Sequence, residues 1–126
     1  TTNYNVVDEF QLLARVGNNS KHLIALLDIF LSLYAEQLAE IKAAIDSGEA
    51  EKLYHASHKF KGSVKNFNAH SAADAAEALE RIGRAGSTAG ADSEYISLVK
   101  ETEILVVALR AMKERHIKAA SSLRKA

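Results

Sequence analysis

The sequence predicts an all-α fold, an antiparallel four-helix bundle with a short additional helix at the N-terminus. The chain of 126 residues contains no proline and only 6 glycines, and alanine is abundant. Proline breaks helices, whereas alanine has the highest helix propensity. Apolar residues recur at intervals of three and four, the period of a helix packed along its length. With 48% hydrophobic and 25% charged residues, the composition is that of a single globular domain covering residues 1–126.

The first two predicted helices cover segments 6–16 and 20–47. The Gly-Asn-Asn sequence at 17–19 separates them, Ser20 can cap the second helix, and Gly48 ends it. We expect the buried face of the first helix to carry Val6, Val7, Phe10, Leu13 and Ala14. The core stripe of the second consists of Leu23, Leu27, Phe30, Tyr34, Leu38, Ile41 and Ile45.

The third and fourth predicted helices cover segments 49–67 and 71–84. Asn68 can adopt the left-handed conformation that often follows a helix, and Ser71 can cap the fourth helix. The core stripe of the third helix consists of Leu53, Ala56, Phe60, Val64 and Phe67. That of the fourth consists of Ala72, Ala75, Leu79 and Ile82, and its small alanines would let it approach a neighbouring helix closely.

The last predicted helix covers segment 92–122 and follows a Gly-Ser-Thr-Ala-Gly loop at 86–90. We expect it to begin at Asp92 or Ser93. Its inward residues are Leu98, Leu105, Leu109 and Met112. Short connections between four substantial helices favour antiparallel neighbours, with the first helix covering one end of the bundle.

Charge and composition exclude several classes of function. Basic and acidic residues number 16 each, so the chain lacks the positive charge that general binding to nucleic acid requires. It has no cysteine, which excludes disulfides and thiolate metal sites and fits a reducing compartment. The richest apolar run, 23–33, contains Asp28 and is shorter than the roughly 18 residues of a membrane span. We therefore expect a cytoplasmic domain without direct membrane contact. Because the chain begins Thr-Thr and its only methionine is Met112, we expect it to be part of a longer protein.

The third helix carries the candidate chemistry, because its outward face holds an unusual set of residues. At about 100° per residue, the core stripe falls within about 40° of Phe60. The residues about 140° or more from Phe60 are Glu51, His55, His58, Gly62 and Lys65. The side chain of His58 is therefore predicted to point into solvent, with Gly62 one turn beyond it.

Gly62 indicates that another molecule must approach His58. A glycine inside a helix costs about 1 kcal/mol relative to alanine, and core packing cannot explain it at an outward position. Lys59, Lys61 and Lys65 surround the same face. Ammonium groups there, above all those of Lys61 and Lys65, could attract a phosphoryl group and hold its oxygens.

The run His58-Lys59-Phe60-Lys61-Gly62-Ser63 resembles the histidine-x-leucine/phenylalanine-lysine-glycine-serine motif of histidine-containing phosphotransfer (HPt) domains of bacterial phosphorelays. The resemblance continues at Asn68-Ala69, Ala78-Leu79-Glu80 and Gly83-Arg84. It implies that His58 is the phosphoacceptor, Lys61 its electrostatic neighbour and Gly62 the gap that admits the partner, while Ser63 belongs to the local helix structure. Such a domain would accept a phosphoryl group from a receiver-domain aspartate and pass it to another receiver.

The resemblance also implies the partners and cofactors. Response-regulator receiver domains would dock on the His58 face, with His55 and Tyr54 at the margin of the approach. If the parent protein is a hybrid sensor kinase, its own receiver and kinase domains are candidates, and the parent could be membrane-anchored. The receiver would bring the magnesium ion, so no cofactor and no metal are expected on this chain. The domain would be a phosphohistidine intermediate without kinase activity of its own.

Three alternatives accompany this interpretation. The same open surface could belong to an interaction module that docks signalling domains without accepting phosphate. His55 and His58, three residues apart, could ligate zinc if further ligands converged, but only Glu51 lies nearby in sequence. An independent enzyme is the weakest alternative, since the sequence shows no nucleophile-base pair, phosphate loop or metal constellation.

Overall fold

The structure, a computed structural model, describes the backbone of residues 7–125 and the side chains of residues 7–122. This part of the chain forms α-helices and contains no strand, which confirms the predicted fold class. The helices are α1 (Glu9–Arg15), α2 (Ser20–Ser47), α3 (Ala50–Lys65), α4 (His70–Arg84) and α5 (Ala91–Lys125).

The ends of the helices follow local capping chemistry. The side chain of Asn19 accepts hydrogen bonds from the backbone nitrogens of Lys21 and His22, so Asn19 caps α2 in place of the predicted Ser20. Gly48 ends α2 in the left-handed conformation, at φ 70°. Asn68 adopts the same conformation, at φ 55°, in the turn between α3 and α4. This turn begins after Lys65, so α3 ends two residues earlier than predicted.

Helices α2 to α5 pack as a closed ring of neighbours. The interface between α3 and α4 is the most extensive, α2 lies against α3 and α5, and α4 packs on α5. Short connections join α2 to α3 and α3 to α4, so these neighbours run antiparallel. None of the described helices is both long enough and apolar enough to cross a bilayer. The extensive α3–α4 interface matters most for the site described below.

The core contains the predicted stripes of α2, α3 and α5. Three phenylalanines form its aromatic centre, with ring centroids 6.3 Å apart for Phe30 and Phe60 and 5.2 Å apart for Phe30 and Phe67. The four inward residues predicted for the last helix, Leu98, Leu105, Leu109 and Met112, are all buried. Tyr34, Ala56 and Ile82 lie at the margin of the core, where they are only partly buried. The helical period therefore located most of the core.

The buried face predicted for α1 is wrong at two of its residues, Phe10 and Ala14. Phe10 is 82% exposed and Ala14 is also exposed, whereas Leu12 is 2% exposed. Leu13 is partly buried and Val7 is buried, while Val6 lies outside the described residues. With only seven residues, α1 makes about two turns, too few for periodicity to define one face.

Polar contacts hold α1 on the bundle. The carboxylate of Glu9 accepts hydrogen bonds from Arg115, at 2.5 Å, and from His116, at 3.1 Å. The other ring nitrogen of His116 lies 3.0 Å from the hydroxyl of Ser20 at the start of α2. The side-chain amide of Asn68 donates to Gln11 at 2.9 Å. The position of α1 thus depends on specific contacts with other helices, which its own sequence does not show.

Candidate functional site

His58 lies on the outer face of α3, as the helical period predicts. Its side chain is 61% exposed, and Gly62 is exposed one turn further along. A β-carbon built on Gly62 would meet no atom within 4 Å. The space beside the imidazole is therefore open, and no packing contact requires a glycine at this position.

The Nδ1 edge of the His58 imidazole contacts a buried carboxylate. Nδ1 of His58 hydrogen-bonds to Oε2 of Glu80, which projects from α4 and is only 1% exposed. Because an ionised carboxylate can only accept, Nδ1 carries the hydrogen and donates it. In this tautomer Nε2 has the free lone pair. The contact therefore both orients the ring and selects the nitrogen that faces solvent.

Glu80 is kept ionised by the cations around it. Lys61 donates to Oε1 of Glu80 at 2.6 Å, and its side chain is only 15% exposed. Arg84 lies further away, with a guanidinium nitrogen 3.7 Å from the same oxygen. Burial acts to raise the pKa of Glu80, but the hydrogen bonds from Lys61 and His58 outweigh it, so that the pKa lies below its usual value. The site thus holds a stable buried negative charge beneath the histidine.

Aromatic contacts border the imidazole on the side toward the start of α3. The ring of Tyr54 lies nearly parallel to that of His58, with centroids 6.1 Å apart and planes at 18°. His55 meets Tyr54 edge-on at 5.0 Å. Both predicted margin residues are therefore near His58, and Tyr54 contacts its ring.

The remaining predicted residues occupy different positions around this face. Lys59 forms an ion pair with Glu40 on α2 at 3.0 Å, so its ammonium is directed away from Glu80. Lys65 is exposed at the end of α3, beside a groove of about 310 Å³ that Lys61 also lines. The hydroxyl of Ser63 lies 3.2 Å from Oε1 of Gln37 on α2 and 3.3 Å from the carbonyl oxygen of Lys59, so it contacts a neighbouring helix as well as its own. The roles expected for Ser63 and Lys65 stay predictions.

Each histidine of the pair on α3 has one acidic neighbour, Glu80 for His58 and Glu51 for His55. His55 lies 3.8 Å from Glu51, a distance of weak ion pairing between two exposed groups. Among the described residues, no group of three or more histidine, aspartate or glutamate side chains is arranged to hold a metal ion. The zinc alternative therefore gains no third ligand from this part of the chain.

Sequence reasoning missed the role of Glu80, although the sequence contained a signal for it. Glu80 is the one acidic residue on the apolar stripe of α4, between Ala76 and Gly83. A charged side chain on a buried face needs a partner, because an unpaired buried charge is costly. The period of α4 could have indicated the buried acid. The identity of its partners on α3 required the structure.

Comparison with known proteins identifies the class of protein. The sequence profile of the Hpt domain matches residues 25–115, which is most of the chain. The chain therefore belongs to the Hpt domain family, whose members carry phosphoryl groups in phosphorelays and interact with receiver domains.

A solved structure supports the same assignment. The chain is similar to the crystal structure of histidine-containing phosphotransfer protein B (HptB) from Pseudomonas aeruginosa PAO1, with a TM-score of 0.80 and 25% sequence identity. The similarity covers 91% of this chain and 98% of that chain. Among curated proteins, no significant match was found. The structural match extends over nearly the whole bundle.

Proposed function

We propose that Nε2 of His58 accepts a phosphoryl group from the phosphoaspartate of a receiver domain and passes it to the aspartate of another receiver. One observation carries the proposal: the buried carboxylate of Glu80 holds Nδ1, so the exposed nitrogen is the one with a free lone pair. Gly62 leaves open space beside that nitrogen. Response regulators are the candidate partners and, if the domain belongs to a hybrid sensor kinase, so are the receiver and kinase domains of that protein.

The transfer step needs no proton to be removed from the imidazole. The lone pair of Nε2 attacks the phosphorus, the nitrogen–phosphorus bond forms, and the bond to the aspartate oxygen breaks with its electron pair. The hydrogen on Nδ1 stays in place, and the ring becomes positively charged. Glu80 then faces that charge directly across the hydrogen bond. In the reverse step the electron pair returns to Nε2 as the phosphoryl group leaves.

Lys61 and Lys65 would favour the phosphoryl group electrostatically. Lys61 is held 2.6 Å from Glu80 and acts from a defined position. Lys65 is exposed and can move toward added phosphoryl oxygens. We assign the magnesium ion that neutralises charge during transfer to the receiver, because the described residues offer no cluster of acidic ligands.

The experiment incubates the chain with a receiver domain carrying labelled phosphoaspartate. We expect the wild type to gain acid-labile, base-stable phosphate and His58→Gln to gain none. His22→Gln is the matched control, since His22 is an exposed histidine on a different helix, α2. A wild type that gains no phosphate with any of a panel of receivers would contradict the proposal. Binding that persists in His58→Gln without transfer would support the interaction-module alternative.

A further inference from the structure

The outer face of α5 carries a stripe of exposed apolar and charged side chains. Ile96 and Val107 are each 69% exposed, and Lys100 and Glu103 are exposed between them. Successive residues of this stripe are four, three and four positions apart, so the side chains line up along one side of the helix. Leu105, on the opposite face, is fully buried in the core. The stripe therefore points away from the bundle.

The stripe has no partner within the described part of the chain. Helix α5 packs on α2 and α4 through its buried face. No ion pair among the described side chains involves Lys100 or Glu103, and the pairs that anchor α5 to other helices lie near its end, at Lys113, Arg115 and His116. Two large apolar side chains and two opposite charges are thus available to another molecule.

The stripe is complementary to a second copy of itself that runs in the opposite direction. In an antiparallel pair of identical helices, a twofold axis makes residues at equal distances before and after the axis meet. With the axis midway between Lys100 and Glu103, Lys100 meets Glu103 of the second copy. In the same register Ile96 meets Val107 of the second copy. Symmetry repeats each contact, so opposite charges and apolar side chains are matched throughout.

Other arrangements of two α5 helices bring like charges together. In a parallel pair each residue meets its own copy, so Lys100 faces Lys100 and Glu103 faces Glu103. In an antiparallel pair with the axis at Leu105, Lys100 faces Arg110. Like charges in direct contact oppose association, and opposite charges fix orientation and register. The charges of the stripe therefore favour the first arrangement over these alternatives.

We propose that a second copy of this chain binds the outer face of α5, with the two helices antiparallel and Lys100 of each copy paired with Glu103 of the other. The inference does not depend on phosphotransfer. Because α5 packs on α2 and α4, whereas His58 lies on α3, the histidine of each copy stays open to a partner. One helix pair buries less surface than the roughly 1,600 Å² of a standard interface. We therefore expect a weak dimer, with a dissociation constant of about 0.1 mM.

Charge reversal tests the pairing, with sedimentation velocity measuring the fraction of dimer. We expect Lys100→Glu and Glu103→Lys each to weaken dimerisation by about tenfold, because each variant places like charges in contact twice. An equal mixture of the two variants should recover wild-type association, since both charge contacts of the mixed dimer then join opposite charges. A mixture that associates no better than either variant would overturn the proposal, as would a wild type that stays monomeric at about 1 mM.

A matched pair of apolar variants locates the interface. Val107→Ser should lower the fraction of dimer. Ile29→Ser is the control, because Ile29 is a large apolar residue that is 60% exposed on a different helix, α2. It should leave dimerisation unchanged. Loss of the dimer in Ile29→Ser, with association intact in Val107→Ser, would place the interface on α2 and overturn the proposal.

Single cysteines test the register, because the chain has no cysteine of its own. Under a mild oxidant, a mixture of Ile96→Cys and Val107→Cys should form a disulfide-linked dimer at least about tenfold faster than either variant alone. In the proposed pair the two copies of residue 96 lie about 16 Å apart along the helices, too far for a disulfide. Faster linking of each variant with itself would indicate a parallel pair and overturn the proposed geometry. Neither result bears on the proposed function.

Discussion

Gly83 of α4 packs directly on the backbone of Tyr54 of α3. A β-carbon at Gly83 would lie 2.6 Å from the nitrogen of Tyr54 and 2.7 Å from the carbonyl oxygen of Ala50. Real β-carbons do not approach backbone atoms so closely, and neither atom belongs to a flexible side chain. Glu80 lies three residues before Gly83 on the same helix. The close contact of the two helices therefore also sets the depth at which Glu80 meets His58.

Replacing Gly83 with alanine should destabilise the fold. The gain in helix propensity, about 1 kcal/mol, is smaller than the cost of moving two helices apart, so we expect a net loss of about 1–3 kcal/mol in the free energy of unfolding. Urea denaturation measures it. Gly62→Ala is the matched control and should be as stable as the wild type or slightly more stable, because open space surrounds that position. Equal stability of the two variants would contradict this account of Gly83.

Gly62→Gln should separate stability from transfer. The side chain projects into open space, so the helix should be as stable as in the wild type or slightly more stable. The same side chain should obstruct a receiver that approaches Nε2 of His58, and the rate of phosphoryl transfer should fall. Rapid-quench measurement with a cognate receiver gives the rate, and Gly62→Ala shows how much obstruction a single methyl group causes. An unchanged rate for Gly62→Gln would exclude the access role of this glycine.

Glu80→Gln should weaken both the fold and the transfer step. The variant leaves the half-buried ammonium of Lys61 without its counter-charge, and we expect a loss of about 1–3 kcal/mol in unfolding free energy. Transfer should slow by about tenfold, since the ring charge formed in the transition state loses a charged partner. Glu77→Gln, an exposed acid on the same helix, is the control. Wild-type transfer by Glu80→Gln would show that the carboxylate does not assist the reaction.

The stabilising effect of Glu80 should disappear in acid. Its pKa in the folded chain lies below the usual value, because the hydrogen bonds from Lys61 and His58 outweigh the effect of burial. Its ionised form therefore stabilises the fold fully above the unfolded pKa of glutamate, about 4.3, and this contribution is lost as the pH falls through the lower folded pKa. The stability difference between wild type and Glu80→Gln should shrink over that range. A difference that stays constant down to pH 3 would contradict the assignment.

Glu9→Gln should loosen α1 without affecting transfer. Burial acts to raise the pKa of Glu9. The hydrogen bonds from Arg115 and His116 together outweigh this effect, so the pKa of Glu9 lies below its usual value. The carboxylate is 34% exposed, and we expect the variant to lose less than about 1 kcal/mol. Hydrogen exchange of the α1 amides should accelerate. Glu114→Gln is the matched control. In the wild type, Glu114 pairs with Lys118 at 3.6 Å on the surface of α5, so its replacement should leave the exchange rates of the α1 amides unchanged.

The exposed face of α3 could be predicted because it depends on one helix. A residue's angle around a helix axis follows from its position in the sequence, about 100° per residue. His58 and Gly62 therefore face solvent together in any fold that buries Phe60. The same argument placed the core residues of α2 and α5. It failed for α1, where seven residues gave too short a pattern and contacts with α5 decided the orientation.

The sequence alone determined that this chain is helical and that a histidine with bare backbone beside it faces outward. Both follow from local conformational preferences and from the period of apolar side chains. Only the tertiary structure decided that Glu80 lies beneath His58 and that Arg84 and Tyr54 stand beside it. Contacts between helices depend on their relative rotation and axial position. Those quantities are set by the packing of the whole core, here by the small residues of α4 and the close contact at Gly83.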